Sequence, residues 1–230
     1  MASTPIKIMT SLATKDFLAD FVVEYPKLAG QALVFENDGG VNLAKRVREG
    51  ETLDVVMLAA GVIEALVNEG RLLAGSKVDV VTSSAAVAVP TGASQPDIST
   101  EAAFKQAILN AKSVCYSTGP SGVYLDKLFA QWGIAEAIKP KLVLAPPGTP
   151  VGSLLAAGKA ELGIQQMSEL IHIAGIKVLG TLPPPISLIT TFSAGISPTC
   201  TQVDAVRKML DYMKSPAATA SKRKNGLEPA

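Results

Sequence analysis

The groups able to do chemistry in this chain are hydroxyls, side-chain amides and glycine-flanked backbone N–H groups, set where apolar runs give way to helical patterns. Asp38-Gly39-Gly40 stands before "VNLAKRV", and Gly119-Pro120-Ser121-Gly122 stands before "VYLDKLF". At such a junction the first helical N–H groups have no partner within the helix, and their partial positive charge attracts anions. The amides of Gly39, Gly40 and Val41, and those of Ser121, Gly122 and Val123, are the candidate donors. A tight turn is the plain alternative at both places, because glycine takes positive φ freely. Thr10-Ser11, at the end of "IKIMTS", has the composition of an N-cap. Thr82, Ser83 and Ser84 interrupt an apolar run, either as ordinary strand residues or as hydroxyls lining a crevice. Gln165 and Gln166 end "ELGIQQ"; alternation sends them to opposite faces, so one of the two can offer an uncharged donor.

Other chemistries lack their residues. The single histidine, His172, lies between "SELI" and "IAG" and reads as a packed or surface residue. Two cysteines, Cys115 and Cys200, form neither a disulfide framework nor a metal pattern. No metal or cofactor is expected. A net charge of +1 with 18% charged residues leaves no basic footprint for nucleic acid. No apolar run approaches the ~18 residues of a membrane span. "KRK" at 222–224 reads as a solvated helix end, and Trp132 as core. "MASTPIKIM" lacks the apolar stretch of a leader and reads as the start of a mature domain, exported with its signal already removed or else cytosolic.

The elements that position these groups alternate. "PIKIMTSLA", "QALVFEN" and "LDVVMLA" read as strands, each followed by a helical pattern, the second and third closed by Gly50 and Gly70. "SKVDVVTSSAAVAVPTG" is too long for one ordinary strand and reads as two pieces bent at 82–84. A second alternating series follows, with Ser99 as N-cap of "TEAAFKQAILNA" and strands at "KSVCYS", "KLVLA" and "ELGIQQ". "KVLGTLPPPISLITTFSAGI" is again β-rich, around prolines 183–185, and Pro216 opens a last short helix. This pattern predicts an α/β protein of two lobes, residues 1–82 with 187–230 and residues 83–186, whose mostly parallel sheets carry helices on both faces. Ligands of such folds bind in a crevice at strand C-terminal ends.

Taken in order, "TSLA", "NDGGVNLAKRV", "DVVMLA", "GPSGVYLDKLF" and "GIAEAIKPKLVLAPPGTPVGSLLAAGKAELGIQQMSEL", with the closing "NGLEPA", resemble the periplasmic molybdate-type solute-binding proteins over essentially the whole chain. The resemblance implies a type II periplasmic-binding fold with two hinge crossings, and a hydroxyl donor to the anion at Ser11. It also implies a periplasmic monomer that gathers a small anion for an ABC-type transporter. Molybdate binders usually carry a Ser-Ser-Gly turn where this chain has Asp38-Gly39-Gly40, and a tyrosine near Gln165 and Gln166. Two hydroxyl donors are thereby lost, and an organic carboxylate becomes the better ligand. The same pattern is similar to bacterial aconitate isomerases, which implies a second function, an allylic proton shift involving Ser11, Tyr124 and Asp38, with Glu36 and Lys15 as the other nearby ionisable groups. An anion-responsive regulatory domain in the cytosol is a third, more distant reading.

Overall fold

Strand and helix alternate through the chain because buried strands read as apolar runs, while the helices are apolar on one side only. The computed structural model describes residues 4–230. The first three residues, and with them the reading of Met1 as a mature start, lie outside the described residues. Two compact units emerge, Met1–Ser83 with Thr191–Ala230, and Ser84–Thr190.

In the first unit β1 (Ile6–Ser11) leads through a 3-10 turn, Leu12–Thr14, into α1 (Lys15–Ala29). β2 (Leu33–Asp38) leads into α2 (Gly40–Arg48), and β3 (Val55–Ala59) into α3 (Ala60–Asn68). β1 pairs in parallel with β2 on one side and β3 on the other. Strand alternation sorts the core. Ile8, Val55 and Met57 pack with Phe17, Phe21 and Met209, whereas Met9, Val56 and Leu58 pack with Leu43, Ile63 and Leu66. Each fully buried side chain of this size contributes about 1.5–3 kcal/mol.

β4 (Val78–Pro90) then carries the chain from the first unit into the second. Two bent pieces were the expectation; one strand of 13 residues is what forms. Its length follows from serving both units. Val81 and Thr82 pair with the C-terminal strand, while Ala85 to Ala88 pair antiparallel with Gln166 to Gly163.

The second unit continues with α4 (Glu101–Asn110), β5 (Val114–Ser117), α5 (Pro120–Gln131), α6 (Ala135–Ile138) and β6 (Leu142–Ala145). α7 (Val151–Ala156), β7 (Leu162–Gln166), α8 (Met167–Leu170) and β8 (Ile176–Thr181) follow. β5 lies parallel to both β6 and β7. The residue capping α4 is Thr100, not Ser99. The Thr100 hydroxyl accepts the Ala103 N–H at 3.1 Å, and the Ser99 N–H is instead held by Asp97 at 2.8 Å. Trp132 is half-buried in this unit's core against Phe104 and Phe129, with its indole N–H donating to Glu101.

Prolines 184 and 185 form a 3-10 turn within the second unit, and β9 (Ile189–Ile196) returns the chain to the first. There β9 lies antiparallel to β3. α9 (Val203–Lys214), α10 (Thr219–Lys224) and β10 (Glu228–Pro229) close the chain, with Pro216 opening a 3-10 turn ahead of α10. The basic run at 222–224 departs from expectation. Arg223 and Lys224 are exposed, but Lys222 is 0% exposed and its ammonium donates to the Val80 carbonyl at 2.9 Å. Helical spacing turns one of three consecutive residues inward, which a reading by charge alone overlooks.

Candidate functional site

In the first unit three parallel strands, in the order β2-β1-β3, end at one edge and each gives way there to a helical turn. Sequence reasoning singled out two of these starts. The third, Ala59-Ala60-Gly61 at the head of α3, carries no hydroxyl and was missed, although small residues at a strand-to-helix junction were the available signal. At the middle start Ser11 is 7% exposed, and its hydroxyl oxygen has no hydrogen-bond partner. It caps nothing, for no side-chain bond is made to the turn that follows. Thr10 is different. Its buried hydroxyl is shared with Thr14 at 2.5 Å, so it is committed to the fold.

The second start is occupied by its own neighbour. The Asp38 carboxylate accepts the Gly39 N–H at 2.6 Å and takes the Asn42 amide on both oxygens at 3.1 Å. The Gly39 amide, counted among the ligand donors, is thus spent inside the turn. The amides of Gly40 and Val41 remain as the first two of α2. Asn42 was overlooked, though an Asp and an Asn four residues apart is a recognisable side-chain pair. Of the other ionisable groups considered, Glu36 is paired with Arg46 at 2.5 Å and Lys15 lies 3.7 Å from Asp16.

In the second unit α5 opens with Pro120, which has no N–H to offer, followed by Ser121 and Gly122. Val123 was expected to aim its amide at a ligand; that N–H instead closes the first helical turn on the Gly119 carbonyl at 3.1 Å. Gly122 is required by packing. A Cβ at this position would meet the Ser117 carbonyl oxygen at 1.6 Å, so the helix rests on the end of β5. Tyr124 is half-buried, its hydroxyl donating to the Ile186 carbonyl at 2.9 Å, and burial raises its pKa.

Both glutamines are buried. The Gln165 side-chain carbonyl accepts the first N–H of α7, that of Val151, at 2.8 Å, and its amide nitrogen donates to Glu169. Gln165 is therefore structural. Gln166 donates to the Thr190 hydroxyl at 2.8 Å, while its carbonyl oxygen is buried without a partner. Because a threonine hydroxyl can donate as well as accept, a reversed Gln166 amide keeps a bond to Thr190 and leaves its NH₂ as the group without a partner. Within β4, Ser83 is buried, and Thr82 and Ser84 are partly exposed on the opposite face. His172 is exposed. Cys115 is buried, which pushes its thiol pKa up to about 11 and leaves it inert. Among the described residues there is no cluster suited to a metal ion, and no helix is long and apolar enough to cross a membrane.

Residues 6–228 match the family of bacterial extracellular solute-binding proteins. The chain is similar to an aconitate isomerase of Pseudomonas sp, 32% identical over all of this chain and 90% of the relative. It is also 20% identical to the molybdate-binding protein ModA of Escherichia coli (strain K12), over 96% of this chain and 88% of that one. Among solved structures, the periplasmic molybdate-binding protein of Azotobacter vinelandii superposes with a TM-score of 0.79 at 20% identity, covering 96% of this chain and 98% of its own. The fold is thus the type II periplasmic-binding one.

Proposed function

The chain belongs to the family of bacterial extracellular solute-binding proteins, and from that premise we propose that it captures a small organic carboxylate in the periplasm, as a monomer, for an ABC-type transporter. The observation that carries this reading is Ser11, a hydroxyl that folding leaves buried and unpartnered beside three helix starts. A buried hydroxyl without a partner costs free energy, roughly 1–3 kcal/mol, that a bound acceptor returns. In this proposal the first unit offers Ser11 and the amides of Gly40 and Val41 as donors, and the second unit offers the amides of Ser121 and Gly122 and the Gln166 side chain. Donors without net charge suit a site that must also release its ligand.

Support for a carboxylate comes from the relative at 32% identity, whose name assigns it a tricarboxylate. A thermal-shift panel tests the class. Cis- and trans-aconitate and related planar acids should raise the melting temperature more than molybdate or sulfate. Ligand at a hundredfold excess over its Kd adds about 2.7 kcal/mol. Molybdate as the sole stabilising anion would overturn the carboxylate reading.

The same relative favours a second reading, catalysis of an aconitate-type isomerisation. A base would take a proton from one end of the allylic system and return it at the other, while N–H donors hold the enolate-like charge. Asp38 is the carboxylate beside Ser11. Incubating the protein with trans-aconitate and following cis-aconitate by chromatography separates the readings. Turnover of about 1 s⁻¹ or faster marks an enzyme, and binding without turnover marks a carrier.

A further inference from the structure

We propose that Asp38 sets the ligand class by acting as a tethered anion at the start of α2, so that compact tetrahedral oxyanions are refused; the inference rests on the anion-binding reading above. A helix start with free N–H groups ordinarily welcomes an anion. Here one is already supplied by the chain. The Asp38 carboxylate takes the Gly39 N–H at 2.6 Å and the Asn42 amide on both oxygens, which holds it against the helix start. Asp38 is also the register partner of Ser11 in the parallel pairing of β1 with β2. Paired residues lie on one face, on strands about 4.8 Å apart. The buried, unpartnered hydroxyl of Ser11, a residue 7% exposed, is the independent sign that a ligand is received beside it.

An anion accepting the Ser11 hydroxyl therefore has a fixed negative charge on the neighbouring strand, at the residue paired with Ser11. For unit charges one strand spacing apart, about 5 Å, at an effective dielectric of about 20, such repulsion is on the order of a hundredfold in affinity per ligand charge. The Asn42 amide and the helix start offset part of it. A sulfate or molybdate dianion, with its charge on one small tetrahedron, cannot move away from Asp38 and still hold Ser11. A polycarboxylate brings only one charge beside Asp38, placing one carboxylate on Ser11 and the others elsewhere. Asp38 has four lone-pair sites, not all of them used, so a ligand with a hydroxyl or a protonated carboxyl can also donate to it.

Calorimetric titration of the purified chain and of Asp38→Asn with molybdate, sulfate and trans-aconitate tests this. The asparagine oxygen can still accept the Gly39 N–H, so the turn is retained. Asp38→Asn should bind molybdate or sulfate at least tenfold more tightly than the parent chain, with Asp38→Ser doing the same. Oxyanion affinities within threefold of the parent in both variants overturn the proposal. The trans-aconitate arm reports separately. A parent chain that binds no carboxylate defeats the reading of the previous subsection, while the oxyanion gain still decides the role of Asp38.

Discussion

The side-chain carbonyl of Gln165 caps the first backbone N–H of α7, at Val151, from a strand fourteen residues away in sequence. Both groups are buried. Gln165→Leu leaves that donor unsatisfied and should cost about 1–3 kcal/mol. Urea unfolding should show the loss as a lower midpoint with an unchanged slope. Affinity for the best carboxylate should stay within a factor of two, because Gln165 is spent on α7 and on Glu169. A larger loss of affinity with unchanged stability would return Gln165 to the ligand site.

Two glycines near helix starts should respond in opposite ways. Gly122→Ala drives a Cβ into the Ser117 carbonyl, which as backbone has little freedom to shift. A loss above about 3 kcal/mol, or failure to fold, is expected. Gly61→Ala meets nothing within 4 Å and should stabilise by about 0.4–1 kcal/mol through the unfolded chain. Denaturant midpoints of the two variants check both signs.

Ser11→Ala should separate stability from binding. The substitution removes a buried hydroxyl that has no partner, so the unliganded protein should be as stable as the parent or more so. Ligand affinity should fall about tenfold, some 1.4 kcal/mol. A drop in unliganded stability, measured by urea unfolding, would mean that Ser11 serves the fold and not a ligand.

Lys222 is an ammonium in the core of the first unit, and burial lowers its pKa below the ordinary 10.5. Below the folded pKa both states are protonated, and the cost of burying the charge is borne in full. Between the folded and the unfolded pKa the unfolded chain binds more protons, so stability rises with pH through that window. Lys222→Met should flatten this rise on the approach to pH 10.5 and leave stability at pH 7 equal or higher, since a flexible side chain of similar volume fills the site. Unfolding curves of parent and variant across pH 7–10.5 make the comparison.

Much of this was legible in the sequence for a simple reason. β1 and β3 are buried along nearly their whole length, so "IKIMTS" and "DVVMLA" read as apolar runs, and the glycines after α2 and α3 punctuate them. β4 was misread because a strand that serves two units exceeds the usual length. Lys222 was misread because charge masks helical spacing. At the helix starts the sequence identified where orphan N–H groups lie but not which would be consumed locally. Only side-chain direction assigns Asp38 to Gly39 and Asn42, or Gln165 to Val151, and direction is settled by packing.

The path of the chain sets an order of birth. All of the second unit lies between Ser84 and Thr190, whereas the first unit needs residues from both ends. A ribosome that has passed residue 190 has already issued every strand and helix of the second unit. At about 5–20 residues per second, the forty residues 191–230 take some 2–8 s to follow. Throughout that interval β3 waits without β9 along one edge, and Phe17 and Phe21 wait for α9. An unpaired apolar strand edge invites association with other chains. The first unit therefore still carries an open apolar strand edge after the whole of the second unit has been made.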